Sequence, residues 1–225
     1  MESGRTVLTL TSTLLLFIHS GDGVTAAGEV AVAEPDRPCD VQIHHYESRN
    51  PAGEDSTRMI RLFTPHFAGR VALEKLHAMP GYRLTLNAPG RIPSAGLHIP
   101  FPVYRLDAGD IRNDGTIDVL LGVIKSTHFD PEVKRRLFIL QCSSSGFSPV
   151  WLGSRVCRNL VDFHTVREGE RTCIMTIEQN RHHAFCNGLY RWQGFGLELI
   201  SYTNEHTDYD TVLAYFDRRS NRGRM

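Results

Sequence analysis

The chain has 225 residues, 25 basic against 25 acidic side chains, and 41% apolar residues. That length holds one domain or two small ones. The balanced charge removes the electrostatic ground for expecting nucleic acid or an anionic membrane surface as partner.

Residues 1–27 differ from everything after them. Arg5 precedes an apolar run over residues 7–18, and small and polar residues then lead to Val24-Thr25-Ala26-Ala27. A charged start, a short apolar centre and a small-residue end predict a secretory signal peptide cleaved near Ala26 or Ala27. The run is shorter than the about 20 apolar residues that cross a bilayer, and no second run of that length follows. No cysteine lies near the cleavage point, so a lipid anchor has no support. The expected mature protein is secreted or periplasmic, without a membrane span. Residues 28–38 are small, acidic and proline-bearing, and read as a linker.

Residues 39–217 carry the pattern of an all-β domain. Residues 41–46 and 58–63 read as strands around a polar loop. Residues 69–79 fit a short helix or a strand. Residues 82–86 alternate cleanly and read as a strand. Residues 89–102, rich in proline and glycine, read as a surface connection.

The most informative stretch follows: Asp107-Ala-Gly-Asp110-Ile-Arg112-Asn-Asp114-Gly115-Thr-Ile-Asp118-Val-Leu-Leu-Gly122-Val123. Asn113-Asp114-Gly115 supplies residues that tolerate positive φ, as a tight turn between strands requires. After Asp118 both faces are apolar, so that strand should be buried on both sides. Asp110, Asp114 and Asp118 recur every four residues. In a loop, that spacing can wrap carboxylates around a hard cation such as calcium. It also suits an Asx-rich turn whose carboxylates cap backbone N–H groups.

Gly109-Asp110-x-x-x-Asp114-Gly115-x-x-Asp118-hydrophobic-x-x-Gly122 resembles the FG-GAP/VCBS repeat, a calcium-loop signature of β-propeller blades. The longer run through Phe129-Asp-Pro131, Arg135-Arg-Leu-Phe-Ile139, Trp151-Leu-Gly153 and Leu160-Val-Asp-Phe163 is similar to exported or lipid-anchored proteins of Bacteroidetes-type bacteria that carry this repeat. The resemblance implies blade-like sheets and a calcium site at Asp110, Asp114 and Asp118. It implies no reaction. The repeat has an acidic residue two positions after the first loop aspartate. Here that position is Arg112, a cation where a ligand oxygen belongs.

From residue 104 onward two four-stranded units are expected, at residues 104–155 and 160–203. Their lengths suit the roughly 45–50-residue pitch of a propeller blade. Two blades do not close a propeller, so the expected architecture is antiparallel four-stranded blade-like sheets in a partial or small β-propeller. An open blade leaves an apolar face and edge strands that call for a partner or a second copy. Residues 210–216 read as a last strand, and residues 218–225 as a frayed tail.

Cys39, Cys142, Cys157, Cys173 and Cys186 make an odd count in an exported chain. Cys173 with Cys186, and Cys142 with Cys157, flank candidate strand pairs; buried free thiols are the other reading. The adjacent pairs His44-His45 and His182-His183 give at most one ligand each to a given site on a strand. Asp162 and His164, two apart on a strand, would need Ser154 to form a hydrolase set, and Ser154 lies outside any Gly-x-Ser-x-Gly elbow. Trp151, Tyr190, Trp192, Phe195 and Tyr202 fit inter-sheet packing, or stacking on a sugar or peptide.

Two function classes result. The first is an exported, non-catalytic binding or assembly module of a bacterial envelope, engaging a protein or glycan, with calcium stiffening one loop. The second is an exported hydrolase with its site between the sheets.

Overall fold

The computed structural model describes residues 41–44, 58–64, 67–87, 96–128, 130–143, 145–153 and 156–222. The expected signal peptide and linker, Cys39, His45 and Ser154 lie outside them. Among the described residues thirteen strands form three antiparallel sheets, in strict sequence order in each, and one helix follows the last strand. The fold is all-β and blade-like, and no sheet closes into a barrel.

The first sheet holds β1 (Val41–His44), β2 (Arg58–Thr64), β3 (Phe67–Lys75), β4 (Tyr82–Asn87) and β5 (Leu97–Ile99). The second holds β6 (Val103–Gly109), β7 (Asp118–Lys125), β8 (Lys134–Ser143) and β9 (Gly146–Leu152). The third holds β10 (Asn159–Glu168), β11 (Arg171–Gln179), β12 (Phe185–Gln193) and β13 (Gly196–Thr207). Helix α1 (Tyr209–Arg222) follows.

Alternation along the strands sorts the apolar side chains into three buried layers. Ile60, Leu62, Val71, Leu73, Leu84 and Leu86 of the first sheet meet Leu106, Val119, Leu121, Phe138 and Leu140 of the second. On the other face of the second sheet, Leu120, Leu137 and Ile139 meet Leu160, Phe163, Ile174 and Tyr190 of the third. The second sheet is thus covered on both sides, which is why β7 is buried over its first six residues. Behind the third sheet, Val166, Cys173, Met175 and Ile177 pack on Val212 and Phe216 of α1.

Helix α1 replaces the strand expected at residues 210–216. Val212 and Phe216 lie one helical turn apart, with Leu213 and Tyr215 beside them. The start is capped: the Thr211 backbone N–H and hydroxyl both donate to the Asp208 carboxylate, at 2.9 and 3.0 Å. The Asn187 amide donates to the Val212 carbonyl at 3.1 Å and ties the helix to β12. The helix continues to Arg222, so residues 218–222 of the expected frayed tail are helical.

Of the two readings for residues 69–79, helix or strand, the strand is found: the segment falls largely in β3, which pairs with β2 on one side and β4 on the other. One further expectation changes: the connection expected over residues 89–102 contains β5, which pairs with β4 through Leu97, His98 and Ile99.

Among the described residues, neither outer face of the stack is an open apolar surface. The third sheet is covered by α1, and the first turns Arg61, Arg70, Glu74, Arg83 and His98 to solvent. The apolar face expected to demand a second copy is absent among the described residues.

Candidate functional site

The Asp-rich turn joins β6 to β7. Its backbone turns through Asn113 (φ 54°) and Gly115 (φ 80°), the two residue types the sequence offered for it. Asp110 accepts from the backbone N–H groups of Asp114 and Gly115, both at 3.0 Å. Asp114 accepts from the Thr116 N–H and hydroxyl.

Arg112 then fills the space between the remaining carboxylates. It lies 3.0 Å from Asp114 and 3.1 Å from Asp118, and donates to Thr116 Oγ1 at 2.8 Å. Asp118 is fully buried. Burial raises its carboxyl from 3.8 to about 6, with the Arg112 charge pulling the other way. At Asp114 burial opposes, but Thr116 and Arg112 prevail and hold the carboxyl below its ordinary value.

The residues do not fit a calcium ion. Asp110 is spent on backbone donors, and the guanidinium stands where the cation would. Among the described residues no three His, Cys, Asp or Glu side chains are grouped to hold a metal. The wild-type melting curve is expected to be the same in millimolar calcium and in chelator, since a native-state ligand would raise it. Scanning calorimetry checks this; a calcium-dependent rise would restore the ion site.

The turn instead fastens two sheets together. Ile111 is buried in the layer between the second and third sheets. Asn113 Oδ1 accepts from the Thr172 N–H at 3.1 Å, and Asp107 from the Thr165 N–H at 2.7 Å.

Of the residues considered for a hydrolase set, Ser154 lies outside the described residues, and Asp162 and His164 each engage other groups. Asp162 is held by Arg105, which donates to it through Nε at 2.8 Å and through a second nitrogen. His164 turns toward α1, with Nε2 3.1 Å from the Phe216 carbonyl and Nδ1 2.9 Å from the Thr165 carbonyl. Burial lowers the His164 pKa, against the pull of those carbonyls.

Cys142, Cys157, Cys173 and Cys186 are free thiols. Cys173 points toward α1, whereas Cys186 pairs with Glu178 on the opposite face. Cys142 sits five residues along β8 from Leu137, roughly 16 Å at strand rise, and Leu137 is the residue near the Cys157 segment. Burial pushes the Cys142 and Cys186 thiols up to about 12 and about 11, so neither is a nucleophile at neutral pH.

Glu178, near the end of β11, belongs to no motif that marks it in the sequence. This carboxylate is fully buried. It accepts from the Thr176 hydroxyl at 2.8 Å, the Arg158 N–H at 2.8 Å and the Tyr202 hydroxyl at 3.1 Å. Burial and the Glu178 charge push the Tyr190 hydroxyl well above its ordinary pKa. The cluster is closed and structural.

Gly188 makes room for that cluster. A Cβ there would lie 2.7 Å from Thr176 Oγ1 and 2.8 Å from both Glu178 Oε1 and the Tyr190 ring. Gly188→Ala is expected to cost about 1–3 kcal/mol, as overpacking does. Urea unfolding measures it; an unchanged midpoint would show that the cluster shifts freely.

Of the five aromatics, Tyr190 is core, and Trp151 and Trp192 pack beside it. Tyr202 lies under the Arg158 guanidinium at 4.1 Å. Only Phe195 stands out, 94% exposed at the β12–β13 turn.

The concavity with chemistry lies elsewhere. A cleft of about 180 Å³ opens where the start of β8 meets the segment entering β10. Leu137, Val156 and Leu160 give it an apolar floor; Lys134, Arg135, Arg136, Arg158, Asn159 and Asp130 line the rest. Arg136 is 4% exposed and 2.8 Å from Asp130, and its hydrogen bond holds that carboxyl below its ordinary pKa. Lys134 pairs with Asp130 and Glu132, and Arg158 with Glu205 at 2.7 Å. Arg135 donates to the Val161 carbonyl and stacks 4.8 Å above Tyr104.

The cleft and the Asp-rich turn sit at opposite ends of β7, since Lys125 pairs with Lys134 and Asp118 with Gln141. That is roughly 23 Å at strand rise. The cleft is not marked by any motif in the sequence. Its one signal was the run Lys134-Arg135-Arg136, which reads as a strand start.

Comparison of the chain with protein-family models, with curated proteins and with solved structures finds no match.

Proposed function

We propose that the chain is an exported, non-catalytic binding module that engages an envelope or extracellular glycan through the cleft between its second and third sheets. The cationic lining of that cleft carries the reading. The concavity presents fixed donors over an apolar floor, which suits recognition. The buried carboxylates that could act as acid or base are committed elsewhere: Glu178 to three donors, Asp118 to Arg112, Asp107 to the Ala108 and Thr165 N–H groups; the half-buried Asp162 is held by Arg105. A protein partner in the envelope is the other occupant of the same class. Kinship with FG-GAP/VCBS blades is supported by the position of the Asp-rich turn between the first two strands of a four-stranded meander. In this reading Arg112 serves as a built-in cation.

The test is affinity electrophoresis of the purified protein through gels bearing acidic and neutral polysaccharides, with chromatography of any products. Retention without shortened chains is expected. Release of shorter saccharides would move the protein to the hydrolase class, and free migration through every gel would remove the glycan.

A further inference from the structure

The proposed binding role leaves open what chemical group the cleft takes. We propose that it holds one tetrahedral oxyanion, a phosphate or sulfate, with Arg135 as the principal contact and Asn159 and Lys134 beside it. This inference rests on the cleft being the recognition site.

Size comes first. At about 180 Å³ the cleft is smaller than the several hundred Å³ that enclose a drug-sized ligand. It admits one head group, with the remainder of the ligand outside.

Charge comes second. Four cationic residues and one acidic residue line a space in a chain of zero net charge. Their partners divide them by role. Arg136 is buried and locked by Asp130 and by the carbonyls of Lys125 and Glu132, so it supplies a fixed field. Arg158 is engaged with Glu205 and with the Cys186 sulfur, 3.1 Å away. Lys134 leans on Glu132, whose side chain is 69% exposed, a pair that water competes for readily.

Arg135 differs. Among the described residues no carboxylate is paired with its guanidinium, which is oriented by the Val161 carbonyl and the Tyr104 ring. A guanidinium has five N–H donors in a planar fork, and that fork matches two oxygens of a phosphate or sulfate. Stacking and a single backbone bond orient the fork ahead of binding, so less freedom is lost when the anion arrives.

The experiment is isothermal titration of the purified protein with inorganic phosphate, inorganic sulfate, glucose 6-phosphate, glucose 6-sulfate and glucose. Wild type is expected to bind at least one of the charged probes, more weakly as sodium chloride rises, and to ignore glucose. Arg135→Gln should weaken the bound probe roughly tenfold, the loss expected for one charge-assisted contact. Lys134→Gln should weaken it by a smaller factor. Both positions are at the surface, so melting temperatures near wild type should accompany the loss. Tighter binding of the sugar esters than of the free ions identifies an ester as the ligand; equal binding identifies the free ion.

The proposal fails if none of the anions binds, if Arg135→Gln binds as wild type does, or if glucose binds as well as its esters. Retention by a neutral polysaccharide together with any of these results would leave the glycan reading standing and remove only the oxyanion. Anion binding without retention by any polysaccharide would do the reverse.

Discussion

Phe216→Ala is expected to lose about 3–5 kcal/mol of folding stability, the range for emptying a buried aromatic site. Phe216 is 2% exposed. Its ring meets the His164 ring edge-on at 4.2 Å, and the Arg105 guanidinium lies 5.9 Å from its centroid. It also presents the carbonyl that faces His164 Nε2. Without the ring, α1 loses its largest buried side chain, and Val166, Met175 and Ile177 gain access to water. The variant should therefore bind a hydrophobic dye and associate with itself, which wild type should not do. Denaturant unfolding measures the loss, and sedimentation the association. Phe216→Leu should cost clearly less. A Phe216→Ala protein within about 1 kcal/mol of wild type and still monomeric would mean that the helix is not what covers the third sheet.

The second large effect is expected at Arg112. Arg112→Ala removes the partner of a fully buried carboxylate, and breaking such a pair costs about 3–5 kcal/mol. The pH dependence follows from Asp118, whose pKa is raised from 3.8 to about 6 in the folded protein. The folded state holds this proton more tightly than the unfolded chain. The favourable contribution is complete below about pH 4 and is lost as pH rises through about 6. Removing the guanidinium takes away the influence that lowers this pKa, so the variant's window extends further up. Arg112→Ala should thus be much weaker than wild type at pH 8 and should approach it near pH 5. Adding Asp118→Asn removes the charge and should restore most of the loss at pH 8. Thermal melts of the three proteins across that range decide it; a pH-independent deficit, or a double variant no better than the single, would refute the pairing argument.

Much of the second and third sheets was legible in the sequence. Alternation from residue 104 onward showed two four-stranded units, at residues 104–155 and 160–203, and Asn113-Asp114-Gly115 marked the turn between the first two strands. What escaped shows where one-dimensional patterns stop. Residues 210–216 mix β-branched, aromatic and small residues that satisfy either period. The deciding signal was the Asp208-x-x-Thr211 cap, which marks a helix start. β5 is only three residues long among prolines and glycines, too short to alternate visibly.

The Asp-rich turn was legible down to its conflict. The sequence placed a cation among three carboxylates, and the structure seats that cation between Asp114 and Asp118. The cleft was not legible, because its residues come from the start of β8 and from positions 156–160. Only the packing of one sheet on the next brings those segments together.

In all three sheets every hydrogen-bonded neighbour of a strand is also its neighbour in the chain. Each pairing therefore joins strands adjacent in the chain, which keeps the loop-closure cost of strand pairing modest. Pairing between sequence neighbours is more local than long crossovers would be, and local contacts favour fast folding. Hairpins form in about 1–10 μs, so strand pairing should run well ahead of docking between sheets. The rate-limiting barrier then lies in expelling water from the layers between sheets, and substitutions at Leu120 or Phe163 should slow refolding more than changes in the hairpin turns.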